Sequence, residues 1–197
     1  CVSKEYGDIY DIMGGNGHFN AFQKELLGWL NQSGFPPITP VTTSGVYTIA
    51  PYEKNDTSAK ALKILKAVHA LTKMRTYYYI EYRAGIGFDS HEPPVVLVHT
   101  GTEGSKNHSY LWDLEPDTGV DWVLDVGQTY TDSAAGVNFT LVSMDANKAV
   151  VRVDFEGAPN ISCLRAHPTI NISPSNQTGS VGQSLSYTVS VTNNNSS

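Results

Sequence analysis

Polar and apolar positions alternate with a period of two over most of the chain, and the main departure comes near its start. Phe19, Phe22, Leu26 and Leu30 recur at helical spacing, with Lys24 and Glu25 on another face. Asn20 stands where a helix cap belongs, and Gln23 three residues later completes a capping box. A helix is therefore predicted over 21–30, ended by Asn31, Gly34, Pro36 and Pro37. From 38 onward, short runs rich in β-branched and aromatic residues predict strands at 46–50, 76–82, 95–99, 110–112, 137–142 and 149–155. The last two flank Asp145-Ala146-Asn147-Lys148, a hairpin turn by composition. Regularly spaced short strands argue for a β-sandwich over 38–157. One stretch is ambiguous: in 59–74, Ala61, Ile64, Leu65, Val68 and Leu71 fit a helical stripe as well as a strand. A Pro-containing linker follows, and two more strand-like pieces, 169–172 and 185–191, are too few to bury a core alone. The expected order is a loop-and-helix segment at 1–33, a β-sandwich at 38–157 and the start of a further β module at 166–197.

Composition narrows the class. The 197 residues are 40% hydrophobic, enough for a sizeable core, and only 16% charged, a balance typical of extracellular β-rich proteins. The net charge is −6 with no basic stripe, which argues against nucleic-acid binding. There is no transmembrane run and no signal-peptide pattern; the chain starts at Cys1 rather than Met and stops in an Asn/Ser run, so it reads as a piece of a longer protein. Cys1 and Cys163 leave three states open: a bridge between them, pairing with cysteines elsewhere, or free thiols. Nine Asn-x-Ser/Thr triplets start at Asn31, Asn55, Asn107, Asn138, Asn160, Asn171, Asn176, Asn194 and Asn195, against roughly two or three expected by chance. They read either as glycosylation sites or as the Asn/Ser/Thr-rich turns of secreted β proteins, and both readings place the protein outside the cell.

The candidate chemistry is concentrated near the start. Asp11-Ile12-Met13-Gly14 is a tight turn presenting a methionine directly before the predicted helix. The run from Glu5 to Gly15, followed by Gly17, His18 and the helix to Leu30, resembles the Met-turn and final catalytic-domain helix of gametolysin-like zinc metallopeptidases, which are metzincins. The resemblance continues through 78–83, 87–89, 96–99 and 126–137, similar to the β-domain that trails the catalytic domain in such proteins, and 163–194 is similar to the start of an Ig-like module. In those relatives the segment matching 61–65 is a strand. The resemblance implies a secreted zinc endopeptidase acting on protein or peptide substrates, in which zinc and a glutamate activate water. It assigns Met13 to the floor beneath the metal. The zinc ligands themselves are absent from this chain: His91-Glu92 is followed by Pro93 and Pro94, which forbid the helix that paired histidines need. They are expected upstream of Cys1, so this piece alone is expected to be inactive.

Other residues carry two readings each. His18 could approach an active site or bond the local backbone. Glu5, Asp8 and Asp11 could hold calcium or stand solvated. Tyr77, Tyr78, Tyr79 and Tyr82 could line a glycan-binding face, though strand alternation puts them on both faces, where packing explains them. His69, His99, His108 and His167 show no spacing that suggests a site. Serine-hydrolase, phosphate-loop and dinucleotide fingerprints are missing. The rival function is a non-catalytic secreted adhesion or glycan-binding protein built from β modules, which would contact cell surfaces or glycans.

Overall fold

A computed structural model describes residues 4–15, 17–114, 122–156 and 169–192. Cys1, Asn160, Cys163, His167, Asn194 and Asn195 lie outside the described residues, and with them the expectations placed on the cysteine pairing and those sequons. The protein is mainly β, with several sheets and little helix. It divides into two compact units, Cys1–Gly157 and Ala158–Ser197. Residues 1–33 and 38–157, read as separate domains from the sequence, thus share one unit.

In the first unit, β1 (Ile38–Val41), β3 (Ala61–Val68), β4 (Arg75–Arg83), β5 (Val95–Thr102) and β6 (Ser109–Leu111) form one sheet in that order. Only β1 and β3 run parallel; the other neighbours are antiparallel. Between β1 and β3 the chain contributes β2 (Gly45–Ile49) to a second, antiparallel sheet ordered β2, β9 (Lys148–Phe155), β8 (Val137–Asp145) and β7 (Thr129–Asp132). The β8–β9 hairpin pairs Asp145 with Lys148, leaving Ala146 and Asn147 as a two-residue turn. Residues 61–68, ambiguous by periodicity, are a strand flanked by β1 and β4; pairing on both edges decides what the apolar spacing left open.

Alternation along β4 builds two buried layers. Tyr78, Ile80 and Tyr82 point into the core shared by the two sheets, with Ile64, Val96, Val98, Phe139 and Val151. The alternate set, Tyr77, Tyr79, Glu81 and Arg83, lies on the other face, which is also covered: Tyr79, Glu81 and Arg83 are fully buried. The tyrosine run is therefore packing material, with three of the four buried and Tyr77 partly so. The sheets are also tied at one edge, where the Asp132 carboxylate on β7 accepts from Lys66 Nζ and Tyr78 Oη, both at 2.5 Å.

The outer face is covered by the segment before β1. Its helix α1 (Ala21–Leu26) packs Ala21, Phe22 and the following Leu30 on Ile38, Ala61 and Tyr79. The helix is shorter than the 21–30 expected, because Leu27 caps it and Gly28 turns left-handed at φ 74°, leaving Leu26 exposed. Phe22 sits over Gly101 on β5, so close that a Cβ there would overlap the ring. A glycine on an otherwise side-chain-rich strand thus makes the seat for the helix.

The second unit contributes β10 (Thr169–Ser173) and β11 (Thr188–Thr192), an antiparallel pair in which Ile170 faces Val191 and Ile172 faces Val189. All four side chains are exposed, as expected of two strands that among the described residues pair only with each other.

Candidate functional site

The turn at the start of the first unit is organised by one carboxylate. Asp11 Oδ1 accepts the Met13 N–H at 3.0 Å, while Oδ2 accepts the backbone N–H of Asn20 at 3.0 Å and its side-chain amide at 3.1 Å. Gly14 and Gly15 both donate to the Asp11 carbonyl, and Gly14 passes so close to the Asp8 carbonyl that no Cβ fits. Asn20 in turn caps α1, with its Oδ1 accepting from Gln23 N and Gln23 Oε1 accepting from Asn20 N, the capping box read from the sequence. The outcome is a rigid turn fused to a capped helix, with Met13 59% exposed beside exposed Ile9 and Ile12.

His18 lies beyond the turn. Its backbone N–H donates to Asp89 Oδ1 at 3.1 Å, and its ring meets Tyr52 and Phe88 edge-on. The bond thus reaches a distant side chain rather than the local backbone, and the ring meets one buried and one exposed aromatic. Glu5 is exposed. The carboxylates weighed as calcium ligands are engaged by protein donors: Asp8 Oδ1 accepts from Tyr10 N and Asp11 is committed as above. Among the described residues no group of three or more His, Cys, Asp or Glu is arranged to hold a metal ion.

What sequence reading missed is a buried charge network beneath this segment. Glu81 is fully buried and accepts from three donors: Ala21 N at 2.5 Å, at the start of α1, and Arg83 Nε at 3.0 Å and Nη2 at 2.8 Å. Arg83 also donates to the Tyr10 carbonyl and lies 3.9 Å from Asp89. His99 Nε2 is 2.8 Å from Asp8 Oδ2, and its Nδ1 is 3.8 Å from Glu81 Oε1. Two neighbouring strands of the sheet, β4 and β5, thereby hold the N-terminal segment through Tyr10, Asp8 and Ala21. The signal available in the sequence was the alternation Tyr79, Glu81, Arg83, which puts two charges on a strand face with a tyrosine.

Electrostatics make the Asp8–His99 link pH-dependent. Burial pulls the His99 imidazole down, but the Glu81 charge and the Asp8 hydrogen bond and charge outweigh it, leaving its pKa raised. Burial pushes Asp8 up, but the His99 hydrogen bond and charge, with the Tyr10 N–H and Arg83, hold it below the usual range. A raised histidine stabilises fully below its unfolded pKa of about 6.5 and loses this as pH rises through its folded value. A depressed aspartate stabilises above its unfolded pKa of about 3.9 and loses this as pH falls through its folded value. The stabilisation from the pair should therefore be greatest between about pH 4 and 6.5. Urea midpoints of the wild-type protein minus those of Asp8→Asn should peak in that window; a difference that is flat from pH 4 to 9 would remove the linkage.

The last feature is a cleft of about 190 Å³ bordered by Lys24, Trp29, Phe35, Pro36, Tyr52 and Glu53. Lys24, placed on the polar side of the helix by periodicity, is only 8% exposed. Its Nζ lies 3.6 Å from the centre of the Tyr52 ring and 3.5 Å from His18 Nδ1. Glu53 offers one oxygen to the Ala84 N–H at 2.8 Å, while its other oxygen is buried and unpartnered among protein groups.

No protein-family model, curated protein or solved structure matches this chain.

Proposed function

We propose that this chain is a piece of a secreted zinc endopeptidase of the metzincin kind: the end of a catalytic domain, with its Met-turn and last helix, a trailing β-sandwich, and the first strands of an Ig-like module. The observation that carries the reading is the turn at Asp11–Gly14. It is fixed at both ends by the Asp11 carboxylate and fused to a capped helix, yet it leaves Ile9, Ile12 and Met13 exposed. Apolar residues on a rigid support are suited to being covered by other protein. In this reading they pack beneath a metal-bearing segment.

The described residues do not themselves form a zinc site. Zinc, held by upstream histidines, would supply an activated water and a polarised peptide carbonyl. The part of this chain is mechanical. Asp11 and Asn20 fix the turn, while Glu81, Arg83 and His99 lock the segment to the sheet, so that Met13 offers a constant surface. Secretion is supported by the sequons: Asn31, Asn55, Asn107, Asn171 and Asn176 are exposed, whereas the Asn138 amide is half-buried and donates to Glu156 Oε1 at 2.8 Å.

The test is the natural protein carrying the sequence upstream of Cys1. We expect an extended His-Glu-x-x-His motif there, one equivalent of zinc retained through dialysis, and casein cleavage abolished by a chelator. Met13→Leu should retain most of that activity, because the swap conserves volume and costs less than about 1.5 kcal/mol. A natural protein with neither zinc nor peptidase activity would overturn the reading and leave the non-catalytic adhesion or glycan-binding protein, which glycan-array binding would then identify.

A further inference from the structure

We propose that Lys24 is a carbonyl-capturing nucleophile, whose amine condenses with a small single-ring aldehyde seated in the cleft beside Trp29, Phe35 and Tyr52. This inference is independent of the peptidase reading.

Four other lysines in this unit have polar or acidic partners. Lys54 donates to the Ala146 carbonyl and the Asn147 amide oxygen, Lys60 pairs with Asp56, Lys63 with Glu25 and Lys66 with Asp132. Lys24 is as buried as a core residue but faces a ring and an imidazole rather than a carboxylate. Burial disfavours the ammonium there, although the Tyr52 ring face favours it, so the free amine is more accessible than in an exposed lysine. Burial lowers the Lys24 pKa to about 8; Glu81, Asp89 and Glu53 oppose this, and Arg83 adds to it. His18 is itself held below its ordinary value, by burial and then by the Lys24 charge, so a neutral Nδ1 stands 3.5 Å from the amine as a proton acceptor. Tyr52, the remaining titratable ring, is pushed up by burial and stays a neutral phenol.

The cleft suits the ligand class. A cavity of about 150 Å³ accommodates a benzene ring, and this one offers about 190 Å³ with Trp29, Phe35 and Pro36 as apolar wall. In the reaction the Nζ lone pair forms a bond to the carbonyl carbon while the carbonyl π pair moves to oxygen. The nitrogen gives up its two protons in turn, the first through His18, and both pass to the carbonyl oxygen, which leaves as water as the carbon–oxygen bond breaks and a carbon–nitrogen double bond forms. Amine and aldehyde give imine and water, with no redox partner.

The probe is benzaldehyde at pH 8 on the whole chain, with cyanoborohydride to fix the imine and peptide mass mapping to locate it. Lys24 should label on the order of tenfold faster than the other lysines, since its free-base fraction exceeds an ordinary lysine's by about two orders of magnitude and burial slows access. Its rate should rise through about pH 8, whereas exposed lysines continue rising towards about 10. Excess benzyl alcohol should slow Lys24 and leave the others unchanged. Lys24→Arg should remove the fast site while keeping the circular dichroism spectrum. Labelling of Lys24 no faster than exposed lysines, or no protection by benzyl alcohol, would overturn the proposal. Because the rates are read on the unaltered chain, misfolding of the variant would not leave it undecided.

Discussion

Arg83→Met should lower unfolding free energy by about 3–5 kcal/mol, the cost of removing one partner from a buried ion pair. Arg83 and Glu81 are 2% and 0% exposed at the side chain, so little solvent screening reduces the effect. The substitution keeps an aliphatic stem of similar length but takes away the donors to Glu81 Oε1 and the Tyr10 carbonyl, and the charge near Asp89. Glu81 would retain only the Ala21 N–H and the neighbourhood of His99. Arg83→Lys should cost less but still measurably, since a single ammonium cannot reproduce a planar fork with one edge on a carboxylate and one nitrogen on a carbonyl. Urea unfolding of the three proteins at pH 6 measures this. A loss below about 1 kcal/mol for Arg83→Met would mean that the network is offset by its own desolvation and does not hold the N-terminal segment.

The helix N-cap, the longer strands and the hairpin were legible because each depends on neighbouring residues. Asn20 and Gln23 need only each other, and Asp145 to Lys148 form a two-residue turn whatever else the chain does. The strand at 61–68 was not decidable, because its apolar residues satisfy both periods and the choice rests on β1 and β4 closing on its edges. Strands β1 and β7 were missed for a similar reason: with four residues each, and Pro40 in one, they exist through the longer strands beside them. The deeper miss was Lys24, Glu81, Arg83 and His99. Charged residues on a β face, or on the polar side of a helix as Lys24 is, normally mark solvent, and only the docking of residues separated by 60 or more positions in the chain, such as Ala21 with Glu81 and Asp8 with His99, converts those faces into an interior. Local pattern carries no information about which face a distant segment will cover.

That same covering reverses the simplest expectation for the β-region. The sequence boundary at 33/38 implies that residues 38–157 fold alone, yet the first unit spans Cys1–Gly157 and its outer sheet face is closed by α1 and the loop before it. A chain shortened to 38–157 would lose Ala21, Phe22 and Leu30 from Ile38, Ala61 and Tyr79. Loss of the Phe22 packing alone compares with a Phe→Ala change, about 3–5 kcal/mol. Glu81 would lose its Ala21 donor, His99 its Asp8 partner and Arg83 its Tyr10 acceptor. Water reaching these charges returns part of that cost, whereas the exposed Tyr79 ring gains nothing from it. Whole-domain stabilities are about 5–15 kcal/mol, so the loss is a large fraction of the total. The shortened chain is expected to remain β-rich by circular dichroism, since the core between its two sheets is intact, but to unfold at least about 3 kcal/mol more easily than residues 1–157 and to bind more hydrophobic dye. Equal urea midpoints for the two chains would show that the helix rests on the sheet without stabilising it, and that the sequence boundary at 33/38 is a true domain edge.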